Sequence, residues 1–124
     1  MKKPNITEGE WLQLENDEGE LSCMVIGKAR QNLNPIVAEC DTGRSFIEID
    51  EQLANAKAIS VVPEIIDHLM CFYYHFMSQW ESVNYHPSSN YLRDAHSVAE
   101  TLIKAGCEPE KEDVEKFKKA NIEL

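Results

Sequence analysis

The sequence predicts an α+β fold: an N-terminal four-stranded antiparallel sheet, then an antiparallel helix pair and a short C-terminal helix. Short β-branched segments separated by turn residues fill positions 10–50, which is typical of hairpins. Apolar residues at three- and four-residue steps then predict helices. We expect a single domain over residues 1–124, with a loose start at 1–9, a β-meander at 10–50, helices at 51–106 and a peripheral helix or tail at 109–124.

Four strands are expected in the first part of the chain. Two turn signals, Asn16–Gly19 and Asp41–Arg44, each contain a glycine, which supplies the positive backbone angle of a tight turn. The polar residues 27–35 predict a loop. The strands themselves are expected from Trp11 to Leu14, at Leu21–Ile26, at Ile36–Cys40 and at Ser45–Ile49.

The most apolar stretch of the chain runs from Ala54 to Trp80. We expect a short helix from Asp50, a break near Val61, and a longer helix from Pro63, since proline fits the first helical turn. The longer helix is apolar on more than one side, so it is buried on more than one side. Its own sheet and helices could bury it, or a second subunit could, and we expect a homo-oligomer. Histidines and Pro63 interrupt the run too often for a membrane span.

A second helix and a marginal third one follow. Ser88 or Ser89 is placed to cap the second helix, whose apolar residues run from Tyr91 to Ile103. Gly106 is placed to end it. The segment from Lys111 to Ala120 has only two large apolar residues, Val114 and Phe117, and predicts a surface helix that docks weakly or frays.

The formal net charge of −10 argues against sequence-independent nucleic-acid binding, which depends on Lys and Arg. It is compatible with a basic partner and with an ordinary soluble protein. No secretory leader is recognisable, so we expect a cytoplasmic protein without membrane contact. The cysteines, Cys23, Cys40, Cys71 and Cys107, form no CxxC pair, and we expect reduced thiols.

Three segments together resemble a group of small bacteriophage and prophage proteins. Trp11 matches the tryptophan of that group's Pro-Trp opening, although Glu10 stands where proline is usual. Pro35–Cys40 resembles its Ile-Ala-Glu-Cys strand, and Ala54–Leu69 resembles its Ala-Asn-Ala…Ala-Pro-Glu-Leu-Leu helix block. The resemblance implies a phage origin and a sheet followed by helices. The expected layout is also similar to that of phage anti-defence sponge proteins, which are oligomers that sequester nucleotide signals.

One cluster of histidine and cysteine residues is a candidate for metal binding or catalysis. His68, Cys71 and His75 share one helical face, and zinc takes such ligands. The tight paired spacing of zinc sites is missing, so the alternative is that Cys71 belongs to the core with the histidines at its edge. A helix interior is also a poor place for a cysteine nucleophile. We therefore predict no enzyme, no catalytic residues, no metal and no cofactor.

The segment from Trp80 to Arg93 is the candidate ligand site. Aromatic faces can stack on a base, and an arginine can bind a phosphate through two hydrogen bonds. The alternative is a capped turn between helices, with a serine cap, tyrosine packed on tryptophan, and Arg93 paired with Asp94 or Glu100. The predicted ligand-binding residues are Trp80, Tyr85, His86, Ser89, Asn90 and Arg93.

These observations predict a phage-encoded, non-enzymatic binding protein that counters host defence. The expected partner is a small cyclic or ADP-ribose-type nucleotide, held by sequestration in the host cytoplasm. The alternative is an acidic inhibitor that binds a basic surface of a host defence complex or nuclease.

Overall fold

A computed structural model of the chain describes residues 1–4, 10–15, 17–27, 36–40 and 49–124. Over these residues the fold is α+β, with a three-stranded antiparallel sheet and four helices. The chain forms two compact units, Ile6–Ile65 and Met1–Asn5 with Ile66–Leu124, and the single domain stays a prediction. The elements in chain order are β1 (Trp11–Glu15), β2 (Leu21–Gly27), β3 (Ile36–Glu39), α1 (Ile49–Ser60), α2 (Val62–Ser82), α3 (Asn90–Lys104) and α4 (Lys111–Lys119).

The sheet of the first unit is a meander with the strand order β1-β2-β3. Trp11 pairs with Gly27 across β1 and β2, and Val25 pairs with Ala38 across β2 and β3. Gly19 adopts φ 77° in the turn between β1 and β2, a region that glycine enters without steric cost. The first three predicted strands are confirmed.

Helix α1 covers this sheet and lies mainly against β2. Val25 on β2 and Ala56 on α1 are both fully buried. The Gln13 side chain donates a hydrogen bond of 3.2 Å to the carbonyl oxygen of Leu53, which ties β1 to the helix. The predicted fourth strand, Ser45–Ile49, falls outside the described residues except for Ile49, which instead begins α1.

The predicted helix break is confirmed. α1 ends at Ser60, Val61 forms a turn, and α2 begins at Val62 with Pro63 in its first turn. Proline needs no amide hydrogen bond at this position, which explains why the chain can restart a helix here. No helix in the described part of the chain has both the length and the apolar character needed to cross a bilayer.

The second unit has an aromatic core that α2 and α4 share. Tyr73, Trp80, Leu102 and Phe117 are all fully buried. The phenol of Tyr73 donates a 2.7 Å hydrogen bond to Oδ2 of Asp113, which is itself buried. The helix predicted to be marginal therefore belongs to the core. Its burial follows from Phe117 and Asp113, one turn apart on the same face.

The amino-terminal residues belong to the same unit. Lys2 and Glu108 exchange two backbone hydrogen bonds, of 2.7 and 2.9 Å. Met1 is 3% exposed, and its amino group lies 2.7 Å from Oε1 of Glu110. This contact lowers the pKa of the Glu110 carboxyl, because the hydrogen bond favours its charged form. The start predicted to be loose is thus in contact with the fold over residues 1–4, and 5–9 lie outside the described part.

The termini of α3 match the sequence signals. Ser89 caps the helix, and its side-chain oxygen accepts a 3.2 Å hydrogen bond from the amide of Tyr91. Gly106 follows the helix with φ 89°, and the amide of Cys107 donates to the carbonyl of Leu102 at 2.9 Å. These features form a glycine C-terminal motif of the Schellman type.

The buried Tyr73–Asp113 hydrogen bond gives a first prediction. Tyr73→Phe removes the donor and leaves a buried carboxylate oxygen without it, so the free energy of unfolding should fall by about 1–3 kcal/mol. Urea unfolding measures this change. Tyr91→Phe, on an exposed tyrosine (38% exposed), is the matched control and should change stability little. Equal stability of Tyr73→Phe and wild type would contradict the prediction.

The same tyrosine makes stability depend on alkaline pH. Burial, followed by the hydrogen bond to Asp113, raises the pKa of Tyr73 well above its usual range. Tyrosine in the unfolded chain ionises near pH ~10, so the stabilisation is complete below that pH and is lost as pH rises above it. The stability difference between wild type and Tyr73→Phe should therefore be constant below pH ~9 and shrink above pH ~10. Urea unfolding across this range measures it, and a constant difference at high pH would refute the assignment.

Candidate functional site

The turn that connects α2 to α3, residues 83–89, has an unusual backbone. Asn84 and Tyr85 are consecutive residues with φ 53° and 54°. Asparagine tolerates this left-handed region, whereas a bulky residue such as tyrosine rarely adopts it. The amide of Tyr85 donates a 3.0 Å hydrogen bond to the carbonyl of Trp80. Surrounding contacts must therefore hold Tyr85 in this conformation.

Trp80 supplies those contacts from beneath the turn. Its indole is fully buried, and Nε1 donates a 3.1 Å hydrogen bond to the carbonyl of His86. Its ring meets Tyr85 edge-on at 5.1 Å and lies 5.3 Å from Phe117. The sequence-based prediction that Trp80 binds ligand therefore needs correction. No face of this indole is open to a nucleobase, because the protein's own aromatic rings occupy its surroundings.

Tyr85 is half-buried and faces α4. The ammonium of Lys116 lies 5.6 Å from the centre of its ring, which is a cation–π arrangement. Lys116 also approaches Glu112 at 3.1 Å and Asp113 at 3.5 Å. Burial raises the pKa of the Tyr85 phenol. Tyr85 and Lys116 line the Lys116 groove, a cavity of about 400 Å³ bounded by Tyr85, Pro87, Glu112, Glu115, Lys116, Lys119 and Ala120.

The Lys116 groove is poorly suited to an anionic ligand. Two carboxylates already contact Lys116, and Glu115 adds a further negative charge to the lining. Burial by itself lowers the pKa of Lys116, but the hydrogen bond to Glu112 and neighbouring charges outweigh it and raise that pKa. The lysine is therefore held as a cation whose charge the protein itself balances.

His86 has a structural role in the turn. Its ring Nδ1 accepts a 3.2 Å hydrogen bond from the amide of Ser88. Its carbonyl accepts from Trp80 and from the amide of Ser89, the latter at 3.1 Å. The residue is exposed, but its known contacts are with the turn.

A second cavity begins at the start of α3, and three of the predicted residues, Ser89, Asn90 and Arg93, line it. Ser89, Arg93 and His96 follow one another at helical steps of four and three, so they share one face. The Arg93 side chain is 76% exposed, and its Nε lies 3.6 Å from Oδ1 of Asp94. His96 lies 3.2 Å from the carbonyl oxygen of Glu123. This α3 groove has a volume of about 280 Å³ and is lined by Pro87, Ser88, Ser89, Asn90, Leu92, Arg93, His96 and Ile122.

The capped-turn alternative accounts for much of the segment. A serine caps α3, Tyr85 packs on Trp80, and Arg93 pairs with Asp94, as that alternative required. The structure brings Ser89, Asn90 and Arg93 to one groove, whereas Tyr85 lines the other.

Sequence reasoning missed several lining residues. His96 carried a signal, since it lies one turn beyond Arg93 on the helical face that begins at Ser89. The sequence signal for Lys116 as a lining residue was weaker and consisted of its position next to the aromatic Phe117. Ile122 gave none, because it lies beyond α4 and reaches the α3 groove only through tertiary packing.

The cluster considered for metal or thiol chemistry is on the surface. His68, Cys71 and His75 are all exposed, so the expectation of a core position for Cys71 is wrong. The α2 face that packs inside its own unit carries Tyr73 and Trp80 instead. Among the described residues, no three His, Cys, Asp or Glu side chains form a group that could hold a metal ion.

The role of Trp80 beneath the turn can be tested directly. Trp80→Phe keeps a buried aromatic ring but leaves the carbonyl of His86 without its indole donor. We expect the free energy of unfolding to fall by about 1–3 kcal/mol, measured by urea unfolding. Trp11→Phe, on the half-buried first strand, is a control for the loss of an indole in the other unit. A smaller effect at Trp80 than at Trp11 would contradict the role.

Comparison with known proteins gives no match among family models, curated proteins or solved structures. The resemblance to phage proteins therefore stays a prediction from three segments of sequence.

Proposed function

We propose that this protein is a non-enzymatic binding protein that holds a small anionic ligand in the α3 groove. The observation that supports this most directly is the placement of Arg93, whose side chain is 76% exposed and lines a cavity shared with Ser89 and Asn90. Arginine offers five N–H donors in a planar fork that matches phosphate and carboxylate. Hydroxyl and amide groups from Ser89 and Asn90 could complete the contacts.

The ion pair between Arg93 and Asp94 is weak enough for Arg93 to bind an anionic ligand instead. Its Nε–Oδ1 distance is 3.6 Å, which is longer than a hydrogen bond, and both side chains are substantially exposed. Exposed pairs of this kind contribute only about 0–1 kcal/mol. A phosphate that accepts two hydrogen bonds from the guanidinium would compete well with that contact.

The volume of the α3 groove limits which part of a ligand it can hold. Its volume of about 280 Å³ lies just below the range for small-molecule pockets, which begins at roughly 300 Å³. Because Trp80 is buried, it provides no stacking surface for a base. The phosphate end of a nucleotide is therefore the part that this groove would recognise. A cyclic or ADP-ribose-type nucleotide would have its remaining part outside the groove.

The biological role that we propose is sequestration of such a nucleotide during phage infection, in the host cytoplasm. The support is the resemblance of Pro35–Cys40 and Ala54–Leu69 to phage proteins. A sequestering protein needs affinity and no turnover. Host defence systems that signal through nucleotides would be the process affected.

A second candidate is an acidic inhibitor of a basic host protein. The observation that favours it is a run of carboxylates at the connection between α3 and α4. Glu108, Glu110 and Glu112 have side chains that are 72%, 59% and 80% exposed, and each also contacts a cation of the protein itself. In a chain of net charge −10, this region would meet a basic surface through electrostatic attraction.

Thermal melting with a panel of nucleotides tests the leading proposal. A ligand that binds only the folded protein raises the melting midpoint. Arg93→Gln should weaken the binding of the active nucleotide by about tenfold or more, since a charge-assisted hydrogen bond contributes roughly 1.5–3 kcal/mol. Lys104→Gln removes the same charge from the last turn of α3, outside the groove lining, and should bind like wild type.

A nucleotide-binding protein, an inhibitor of a basic protein and an enzyme would give different results in these experiments. Recovery of the nucleotide intact after incubation is expected, and its conversion to product would show an enzyme. If no nucleotide shifts the midpoint while a basic host protein is captured and then released by salt, the inhibitor is correct. Equal loss of affinity in Arg93→Gln and Lys104→Gln would show that the α3 groove is not the site.

A further inference from the structure

Helix α2 carries an apolar seam on the side next to its buried face. The seam consists of Leu69, Phe72, Phe76, Gln79 and Val83, where Val83 directly follows the helix. Phe72 is 55% exposed and Val83 is 38% exposed, and the other three are half-buried. The rings of Phe72 and Phe76 stack with centres 6.5 Å apart. An aromatic pair is thus held at the surface.

The spacing of these residues matches a helix-pairing surface. They follow one another at steps of three, four, three and four, which is the a/d repeat of a coiled coil. The residues that face the core of the same unit, Tyr73, Met77 and Trp80, occupy a separate stripe of the helix. Packing against the core of this unit accounts in part for the half-buried Leu69 and Phe76, but it does not explain the exposed Phe72 and Val83.

The distribution of charge favours a second copy of the chain as the partner of the seam. The chain has 22 acidic and 12 Lys or Arg residues, yet none of them lies in the seam. A basic partner would be attracted by carboxylates, which this surface lacks. Two copies of net charge −10 repel each other wherever their acidic surfaces meet. An uncharged seam is the surface through which they could associate.

The seam is also self-complementary. In an antiparallel pair of α2 helices with a two-fold axis midway between Phe72 and Phe76, each Phe72 faces the Phe76 of the other copy. The same axis sets Leu69 opposite Gln79. A two-fold interface requires one patch that matches itself in this way.

We propose that the α2 seam binds the α2 seam of a second copy and forms a reversible homodimer. From Leu69 to Val83 the seam is only ~21 Å long and ~10 Å wide, so its area lies below the ~800 Å² per partner of stable interfaces. We therefore expect weak association, with a dissociation constant on the order of 100 µM. The seam shares no residue with the α3 groove, so dimerisation and nucleotide binding are independent properties.

Sedimentation velocity on the full chain tests this proposal. The mass should rise from 14.2 kDa toward twice that value as the concentration increases over about 1–300 µM. Added salt should strengthen the association, because it screens the repulsion between acidic copies. A monomer at every concentration, or an association that salt weakens, would overturn the proposal.

Three substitutions locate the interface. Gln79→Glu places a charge in the seam, and Ser78→Glu adds the same charge to the adjacent exposed position outside it. Gln79→Glu should weaken dimerisation by about tenfold or more and Ser78→Glu by less than about twofold. Phe72→Glu should abolish dimers while the monomer melts near the wild-type midpoint. Equal effects at Gln79 and Ser78 would overturn the assignment, and so would unfolding of Phe72→Glu combined with unchanged dimerisation of Gln79→Glu.

Discussion

The burial of one indole determines the geometry of the α2–α3 turn. Trp80 packs between Tyr85 of the turn and Phe117 of α4, and it donates its only hydrogen bond to the carbonyl of His86. A buried indole N–H needs such a partner, so the turn has to present a carbonyl at this point. The left-handed backbone at Asn84 and Tyr85 lies between the indole and this carbonyl. The same turn leads to the Ser89 cap and to the face of α3 that carries Arg93.

Local signals predicted much of the fold. The turn at Gly19, the break before Pro63, the Ser89 cap and the end at Gly106 each rest on backbone chemistry that is confined to a few residues. Helix α4 was underestimated for the opposite reason. Its sequence is largely charged, and the burial of Phe117 depends on Trp80, which lies far away in the chain.

The candidate site was also predictable only in part. The common position of Ser89, Asn90 and Arg93 was predictable because a helix start combines a cap with neighbouring polar groups, and their binding of a ligand stays a prediction. The role of Trp80 was misjudged because composition cannot distinguish an aromatic ring that faces solvent from one that faces inward. The exposure of Cys71 was misjudged similarly, since α2 is apolar over so wide an arc that the sequence does not indicate which part faces the core. His96 needed only the helical projection of α3.

An acidic chain and an anionic ligand are physically compatible in this protein. At physiological salt, charges separated by more than about 8 Å are largely screened, so the overall charge of −10 matters less at a groove than the groups that line it. Arg93 is one of three arginines in the chain. In the dimer proposed for the α2 seam, contact between like-charged copies would need a surface without charge. Repulsion between the copies and attraction at the seam would then act on separate parts of the molecule.

The paired backbone hydrogen bonds between Lys2 and Glu108 have a consequence for how the second unit opens. The strand-like contact holds the chain just before α4, while Phe117 and Asp113 hold the helix itself. Detaching α4 would therefore break both sets of contacts in one event, and it would expose Trp80 to water. Partial unfolding of the carboxyl-terminal region is costly for this reason. Proteases should find few cleavable states there, and amide hydrogens in α4 should exchange with solvent nearly as slowly as those in α2.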